Sequence, residues 1–256
     1  MSEGPLRVWR DREGTLLRLR LSRPKANIID AEMIAALDRA LTENLSDGAL
    51  LAVLIDHEGP HFSFGASVQE HLPGRFDEML KGFMALILRM IEAEIPILVA
   101  VRGQCLGGGM EVAIAGNLIF AAPDAKFGQP EIQVGVFAPP ASVLLPERIQ
   151  RGAAESILFS GRPIDGTEAY RLGLVHAVGA DPEAAALAYF DESLAAHSPR
   201  VLRYAVRAAR YDMVERVKTK FAELEKLYRF ELMTTRDAVE GLTAFLEKRP
   251  AKWEGR

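Results

Sequence analysis

Arg102-Gly103-Gln104-Cys105-Leu106-Gly107-Gly108-Gly109-Met110-Glu111-Val112 joins a short apolar run, residues 97–101, to a second apolar stretch, residues 110–116. The first run has the pattern of a buried strand and the second that of a helix beginning. Consecutive glycines at a strand-to-helix junction leave the backbone N–H groups unshielded by any Cβ. Those N–H groups lie at the positive end of a helix dipole, where an anion or a developing oxyanion is favoured. Glu111, in the same turn, adds a carboxylate. A bare glycine triplet is also what a tight turn packed on its strand requires, so the flanking sequence decides between the two.

Upstream, residues 15–21 alternate and place Leu17, Leu19 and Leu21 on one face of a strand. Residues 22–27 break it, and Asp30 is positioned to cap a helix carrying Met33, Ile34, Leu37, Leu41 and Leu45 at helical spacing. Residues 49–55 are continuously apolar, as in a strand buried on both faces. Strand, helix and strand in this order imply a right-handed crossover and an α/β architecture. The loop that follows ends in His61-Phe62-Ser63-Phe64-Gly65-Ala66-Ser67. A loop turning aromatic after a buried strand suggests a binding edge, since α/β sites gather at strand carboxyl ends. A long helix is expected over 75–93, a strand over 117–122, and a loop over 126–131 that brings a second carboxylate, Glu131.

Past residue 142 the chain reads as mostly helical, with pieces at 142–150, 152–160, 167–172 and 182–197 and a short strand at 174–178. Ser198-Pro199 suits a helix start and marks an expected boundary between a segment 1–197 and a helical segment 198–256. The latter divides into helices at 201–210, 213–233 and 237–248. The middle one carries Val217, Phe221, Leu224, Tyr228 and Leu232 as an apolar stripe. Such stripes belong to a core or a subunit contact, and since the segment has little domain of its own to bury them, an oligomer interface is expected.

The bounds are permissive. With 256 residues the chain has ample length for a large core, and a formal charge of −4 without a basic run argues against a nucleic-acid surface. The first residues lack an apolar h-region, and the apolar stretches fall short of the roughly 20 residues of a bilayer span, so a cytoplasmic protein is expected. The single cysteine, Cys105, reads as a core thiol. His57, His61, His71, His176 and His197 show no metal-ligand spacing, and no metal is expected.

Phe64-Gly65-Ala66, Cys105-Leu106-Gly107-Gly108-Gly109-Met110-Glu111 and Phe127-Gly128-Gln129-Pro130-Glu131 resemble, in order, three signatures of the enoyl-CoA hydratase/isomerase (crotonase) family. Arg23-Pro24-Lys25-Ala26-Asn27 resembles that family's first loop and Ala244-Phe245-Leu246-Glu247-Lys248-Arg249-Pro250 its closing motif. The likeness runs over nearly the whole chain. It implies a spiral of ββα turns with a C-terminal helical segment, assembled as a trimer or a dimer of trimers. It also implies acyl-coenzyme A thioester substrates, with no cofactor beyond the coenzyme A of the substrate. Carried over by position, the N–H groups of Ala66 and Gly108 would form the oxyanion hole, and Glu111 and Glu131 would be the acid/base pair. Lys25 and Ala26 would meet coenzyme A, and Phe245 and Lys248 would reach the coenzyme A of a neighbouring subunit.

The chemistry explains the grouping. Water adds to a conjugated double bond only if charge reaches the thioester oxygen, where two N–H donors stabilise it. Water loses a proton and a carbon gains one, which two carboxyl groups supply. Where many straight-chain hydratases have Gly-Ala-Asp, this chain has Gly65-Ala66-Ser67, and the segment after Glu131 contains Phe137, Pro139 and Pro140. With Phe64 these would form a stiff, flat acyl pocket suited to a ring. Residues 61–73 and 137–142 are similar to those of the family's cyclohexa-1,5-diene-1-carbonyl-CoA hydratases, enzymes of anaerobic benzoyl-CoA degradation. A straight-chain enoyl-CoA hydratase, an enoyl-CoA isomerase working with one carboxylate, and a non-enzymatic RNA-binding relative are the other readings. The two glutamates count against the isomerase and the acidic balance against RNA.

Overall fold

A computed structural model describes residues 4–72 and 74–256. Met1, Ser2 and Glu3, part of the N-terminal stretch discussed above, and Pro73, the last residue of the 61–73 segment, lie outside the described residues.

The alternating and continuous apolar runs become neighbouring strands. β1 (Leu6–Asp11) is antiparallel to β2 (Leu16–Leu21), and β3 (Ala52–His57), β4 (Ile97–Val101), β6 (Leu118–Ala121) and β9 (Ala177–Val178) continue the sheet in parallel. A smaller sheet has β5 (Gln104–Leu106) parallel to β7 (Lys126–Gly128), which is antiparallel to β8 (Ile164–Asp165). Both faces of the large sheet are covered, which is why β3 and β4 read as unbroken apolar runs. Val53, Ile55, Ile97 and Val99 pack into the main core with α1 (Ala31–Asn44) and α2 (Phe76–Glu92). Ala52, Leu54, Leu98 and Ala100 face a second cluster that includes Ala186 and Phe190.

Asp30 caps α1 as expected, its carboxylate accepting from the Met33 N–H at 3.0 Å. After β5 comes α3 (Gly108–Ala115), every residue of which is buried. Two arginines, one half-buried and one buried, hold its far end. Arg148 donates to the carbonyls of Ile114 at 2.9 Å and Gly116 at 2.6 Å, and Arg210 to Gly116 at 3.0 Å. Cations on the last carbonyls complement the helix dipole, and they fix α3 with its amino end toward the cleft described below. α4 (Pro139–Arg148), α5 (Arg151–Ser160), α6 (Gly166–Arg171) and α7 (Pro182–Ser193) follow, and α8 (Pro199–Lys226) and α9 (Arg236–Leu246) close the chain.

Several sequence expectations are corrected. Residues 6–11, to which the sequence reading assigns no element, form β1 paired along its length with β2, and the guanidinium carbons of Arg18 and Arg20 on β2 lie 4.9 and 5.3 Å from the Trp9 ring centroid. Residues 126–131 are not one loop: β7 pairs on both sides, and Pro130–Val134 winds into a 3-10 turn. α3 begins at Gly108, within the glycine triplet, rather than at Met110. The two helices expected over 201–233 are joined. α8 is continuous from Pro199 and passes into a π-helical turn, Leu227–Glu231, because no helix breaker lies between Arg210 and Met213. Val217, Phe221 and Tyr228 from this stretch are buried in the main core, while Tyr204, Tyr211 and Phe230 are exposed. Among the described residues, no helix is long and apolar enough to cross a membrane.

Candidate active site

The loop after β3 is stitched into place on two sides. Ser63 N–H donates to the Gln104 carbonyl at 2.9 Å and Leu106 N–H to the Ser63 carbonyl at 3.0 Å. On the other side Phe64 N–H donates to Ala26 and Ile29 N–H to Gly65, both at 2.9 Å. Ser63 Oγ accepts from the Gly65 N–H at 3.0 Å. Among the described residues the Ala66 N–H has no such partner. Gly108 opens α3, so its own N–H has no carbonyl a turn back within the helix. The two residues touch: a Cβ built on Gly108 would stand 3.2 Å from both the nitrogen and the Cβ of Ala66. Gly107 takes φ +48°, and a Cβ there would lie 2.4 Å from Glu131 Oε1. A second glycine is thus needed for close approach, since any side chain would displace the carboxylate.

Glu111 is 4% exposed, and its Oε1 accepts the Ala141 N–H at 2.9 Å, a donor from the first turn of α4. Glu111 is therefore not a solvated carboxylate at a helix start. Glu131 comes from the 3-10 turn, whose preceding Gln129 is 1% exposed. With its amide nitrogen turned inward, Gln129 donates to Glu131 Oε2 at 2.9 Å. Burial pushes the Glu111 pKa well up, and the nearby Glu131 carboxylate pushes it further. Burial also raises Glu131, to about 7. Glu131 is therefore the member that loses its proton first, above about 7, beside a Glu111 that burial and the new charge hold toward its acid form.

Both carboxyl groups border an inner space of about 20 Å³, together with Ala66, Phe137, Pro139 and Tyr228. A volume of that size holds a single water. It adjoins a cleft of about 280 Å³ that shares Ala66 and Glu131 and is flanked by Phe64, Val136 and Phe245. An outer groove continues past Ala26, Phe64 and Phe245. Of the residues expected from sequence, Ala66, Glu111, Glu131, Phe137 and Pro139 meet at the inner space, and Gly108 packs directly against Ala66.

Four others lie farther out. Phe64 stands at the mouth, 44% exposed, its ring edge-on to His61 at 4.9 Å, and it borders the cleft and the outer groove but not the inner space. Phe245 lies over the cleft of its own chain, because α9 folds back across the loop that follows β3. Lys25 and Lys248 are exposed and lie outside these lining sets. His71 borders the inner space with its Nδ1 at 2.8 Å from the Ser67 carbonyl, and burial pushes its pKa down, which favours the neutral ring. Sequence reasoning missed Tyr228 and Gln129. A hydroxyl-bearing ring in an otherwise apolar stripe was the signal for the first, and the second stands two residues before Glu131 in a recognised motif.

The elevated Glu131 pKa is also a stability statement. Its folded value, about 7, lies above its ordinary value of 4.5. The contribution is therefore fully present below the unfolded pKa and is lost as pH rises through about 7. Glu131→Gln should remove part of that loss, raising stability at pH 8 by on the order of 2 kcal/mol relative to wild type. Urea unfolding at pH 5 and pH 8 checks this, and an unchanged difference between the two pH values would count against the buried titration.

Unpaired amides beside a proton-sharing carboxyl pair define, as a class, an acid–base site suited to a carbonyl-conjugated substrate. The model of the enoyl-CoA hydratase/isomerase family matches residues 11–256, and the chain belongs to that family. It is 62% identical, over all of both chains, to the cyclohexa-1,5-dienecarbonyl-CoA hydratase of Thauera aromatica. It is 32% identical to a probable enoyl-CoA hydratase of Bacillus subtilis, covering 93% of this chain and 94% of that one. Among solved structures, an enoyl-CoA hydratase/isomerase from Pseudoalteromonas atlantica superposes with a TM-score of 0.86 at 26% identity, covering 98% of this chain and 100% of the other. An enoyl-CoA hydratase from Mycobacterium avium subsp. paratuberculosis matches with the same TM-score at 22% identity and supports the fold alone.

Proposed function

We propose that the protein is a hydro-lyase that adds water to cyclohexa-1,5-diene-1-carbonyl-CoA, giving 6-hydroxycyclohex-1-ene-1-carbonyl-CoA in the anaerobic degradation of benzoyl-CoA. The observation that carries the substrate is the 62% identity along the full length of the Thauera aromatica hydratase. The proposed roles rest on the site geometry. The N–H groups of Ala66 and Gly108 hold the thioester oxygen, and Glu111 and Glu131 exchange the protons.

In this 1,4-addition the hydroxyl bonds to the ring β-carbon, and electrons move through the α-carbon to the thioester oxygen. The resulting dienolate takes its proton at the far terminus of the diene. The ionised carboxylate receives the proton leaving water, and its protonated partner supplies the one that reaches carbon. The carboxyl pair starts and ends with one proton, so the net change is one added water. The two acids must therefore address opposite edges of the ring, which a pair drawn from α3 and from the separate 130–134 turn supports.

The ring is proposed to occupy the 280 Å³ cleft, with the inner space taking the attacking water. Ala26 flanks the route for coenzyme A, with Phe245 of the same chain closing over it. Lys25 and Lys248 are proposed to meet the coenzyme A phosphates from the rim. No further cofactor or metal is required by this chemistry. A homotrimer or dimer of trimers in the cytoplasm, without nucleic-acid or membrane partners, completes the reading; the exposed Tyr204 and Tyr211 on α8 support a subunit contact.

Side-by-side turnover of the cyclic dienoyl-CoA and crotonyl-CoA, with product mass spectrometry, tests the reading. The cyclic substrate should lead in kcat/KM by on the order of 100-fold. A lead for crotonyl-CoA would favour a straight-chain hydratase, the reading supported by the 32% relative.

A further inference from the structure

Tyr228 is 1% exposed, and its hydroxyl has no hydrogen-bond partner among the described residues. A buried phenol ordinarily finds one, and leaving it without costs about 1–3 kcal/mol. Its ring is held firmly, 5.3 Å from Phe137 and 6.1 Å from Phe76 between centroids. The residue borders the inner space together with Glu111 and Glu131. It also stands in the π-helical turn Leu227–Glu231, a local widening that turns Tyr228 inward while Leu227 and Phe230 face out. Such turns recur at functional sites because the extra residue is tolerated only where it re-aims a side chain. Burial and the two carboxylates both push the Tyr228 pKa upward, so the phenol keeps its proton and is a donor throughout neutral pH.

We infer that the Tyr228 hydroxyl is a third holder of the reacting oxygen: it donates a hydrogen bond to the attacking water and, after addition, to the ring hydroxyl of the product. This rests on the hydratase reading above and names the group that orients the nucleophile in that site. Water confined to about 20 Å³ gives one O–H to the ionised carboxylate and accepts from Tyr228, which leaves its remaining lone pair for the β-carbon. Tyr228 neither gains nor loses a proton over the cycle.

Tyr228→Phe removes one oxygen and keeps the ring packed. With the cyclic dienoyl-CoA, kcat should fall about 10- to 50-fold while KM stays within twofold. Affinity for 6-hydroxycyclohex-1-ene-1-carbonyl-CoA should fall about 10-fold, and affinity for saturated cyclohexanecarbonyl-CoA, which has no hydroxyl, should not move. A purely structural role would shift both affinities together. Unchanged kcat and unchanged product affinity would overturn the inference. Thermal unfolding checks that the variant folds, and Tyr228→Met, which also lacks the donor, must show the same split if the phenylalanine variant does not fold. If wild type hydrates only crotonyl-CoA, the substrate reading falls, and the same kcat and product-affinity split measured with crotonyl-CoA and 3-hydroxybutyryl-CoA decides the role of Tyr228.

Discussion

Glu111→Gln and Glu131→Gln should each lower kcat for hydration by about 1,000-fold, with the folded state retained. Glutamine keeps the shape and the hydrogen-bonding reach of the carboxyl but neither takes nor gives a proton at neutral pH. Because the two groups share one proton, removing either leaves the other in the wrong state for half the reaction. The double variant should therefore be little worse than either single one, the non-additivity of groups that act as a unit. The pH profile carries the sign of the mechanism. Activity in wild type should rise through about 7 as Glu131 gains its charge, and fall at higher pH once the pair has lost its remaining proton. In Glu131→Gln the charge that raises Glu111 is gone, so whatever activity remains should lose its upper limb at lower pH than wild type. Steady-state rates between pH 5 and 10 measure this. Near-wild-type turnover by both single variants would end the carboxylate assignment.

The parts of this site that could be read in the sequence are those whose chemistry is local. Strand β4, the glycines and Glu111 lie within one short stretch, so their geometry follows from strand, turn and helix rules. Ala66 was legible because it follows a glycine in an aromatic loop at the end of a buried strand. What the sequence hid depends on pairing between distant segments. β5, β7 and β8 have two or three residues each and carry no periodicity of their own; only their mutual hydrogen bonds make them strands. The same holds for Phe245, whose place over its own cleft follows from the path of α9. Tyr228 had the helical spacing of a core residue and is indeed in the core, yet the unpaired oxygen at its tip is visible only once α8 is packed against α2 and α4.

Gly108→Pro should abolish measurable hydration, a loss of at least about 1,000-fold, while Gly108→Ala costs far less. The position is the first of α3, where proline is tolerated because its missing N–H has no helical partner to lose. Its ring fixes φ near the value usual for the first turn of a helix, so the secondary structure should survive. What disappears is one of the two donors proposed for the thioester oxygen, and the proline ring then fills the direction in which that donor pointed. Deleting one oxyanion donor alone costs roughly 100- to 1,000-fold in kcat, and the added bulk accounts for the rest. Alanine supplies the steric control. Its Cβ would sit 3.2 Å from the Ala66 nitrogen and Cβ, tight enough that the loop gives by a few tenths of an ångström, but the N–H remains. A small strain at preorganised donors should slow turnover by roughly 10-fold. The comparison separates a hydrogen bond from mere space: equal activity in the two variants would mean that the Gly108 amide does not hold the substrate oxygen. Binding of the saturated cyclohexanecarbonyl-CoA, which keeps the thioester carbonyl but has no diene to hydrate, should weaken much less than kcat falls, because a donor that strengthens its bond as negative charge develops acts on the transition state more than on the bound substrate.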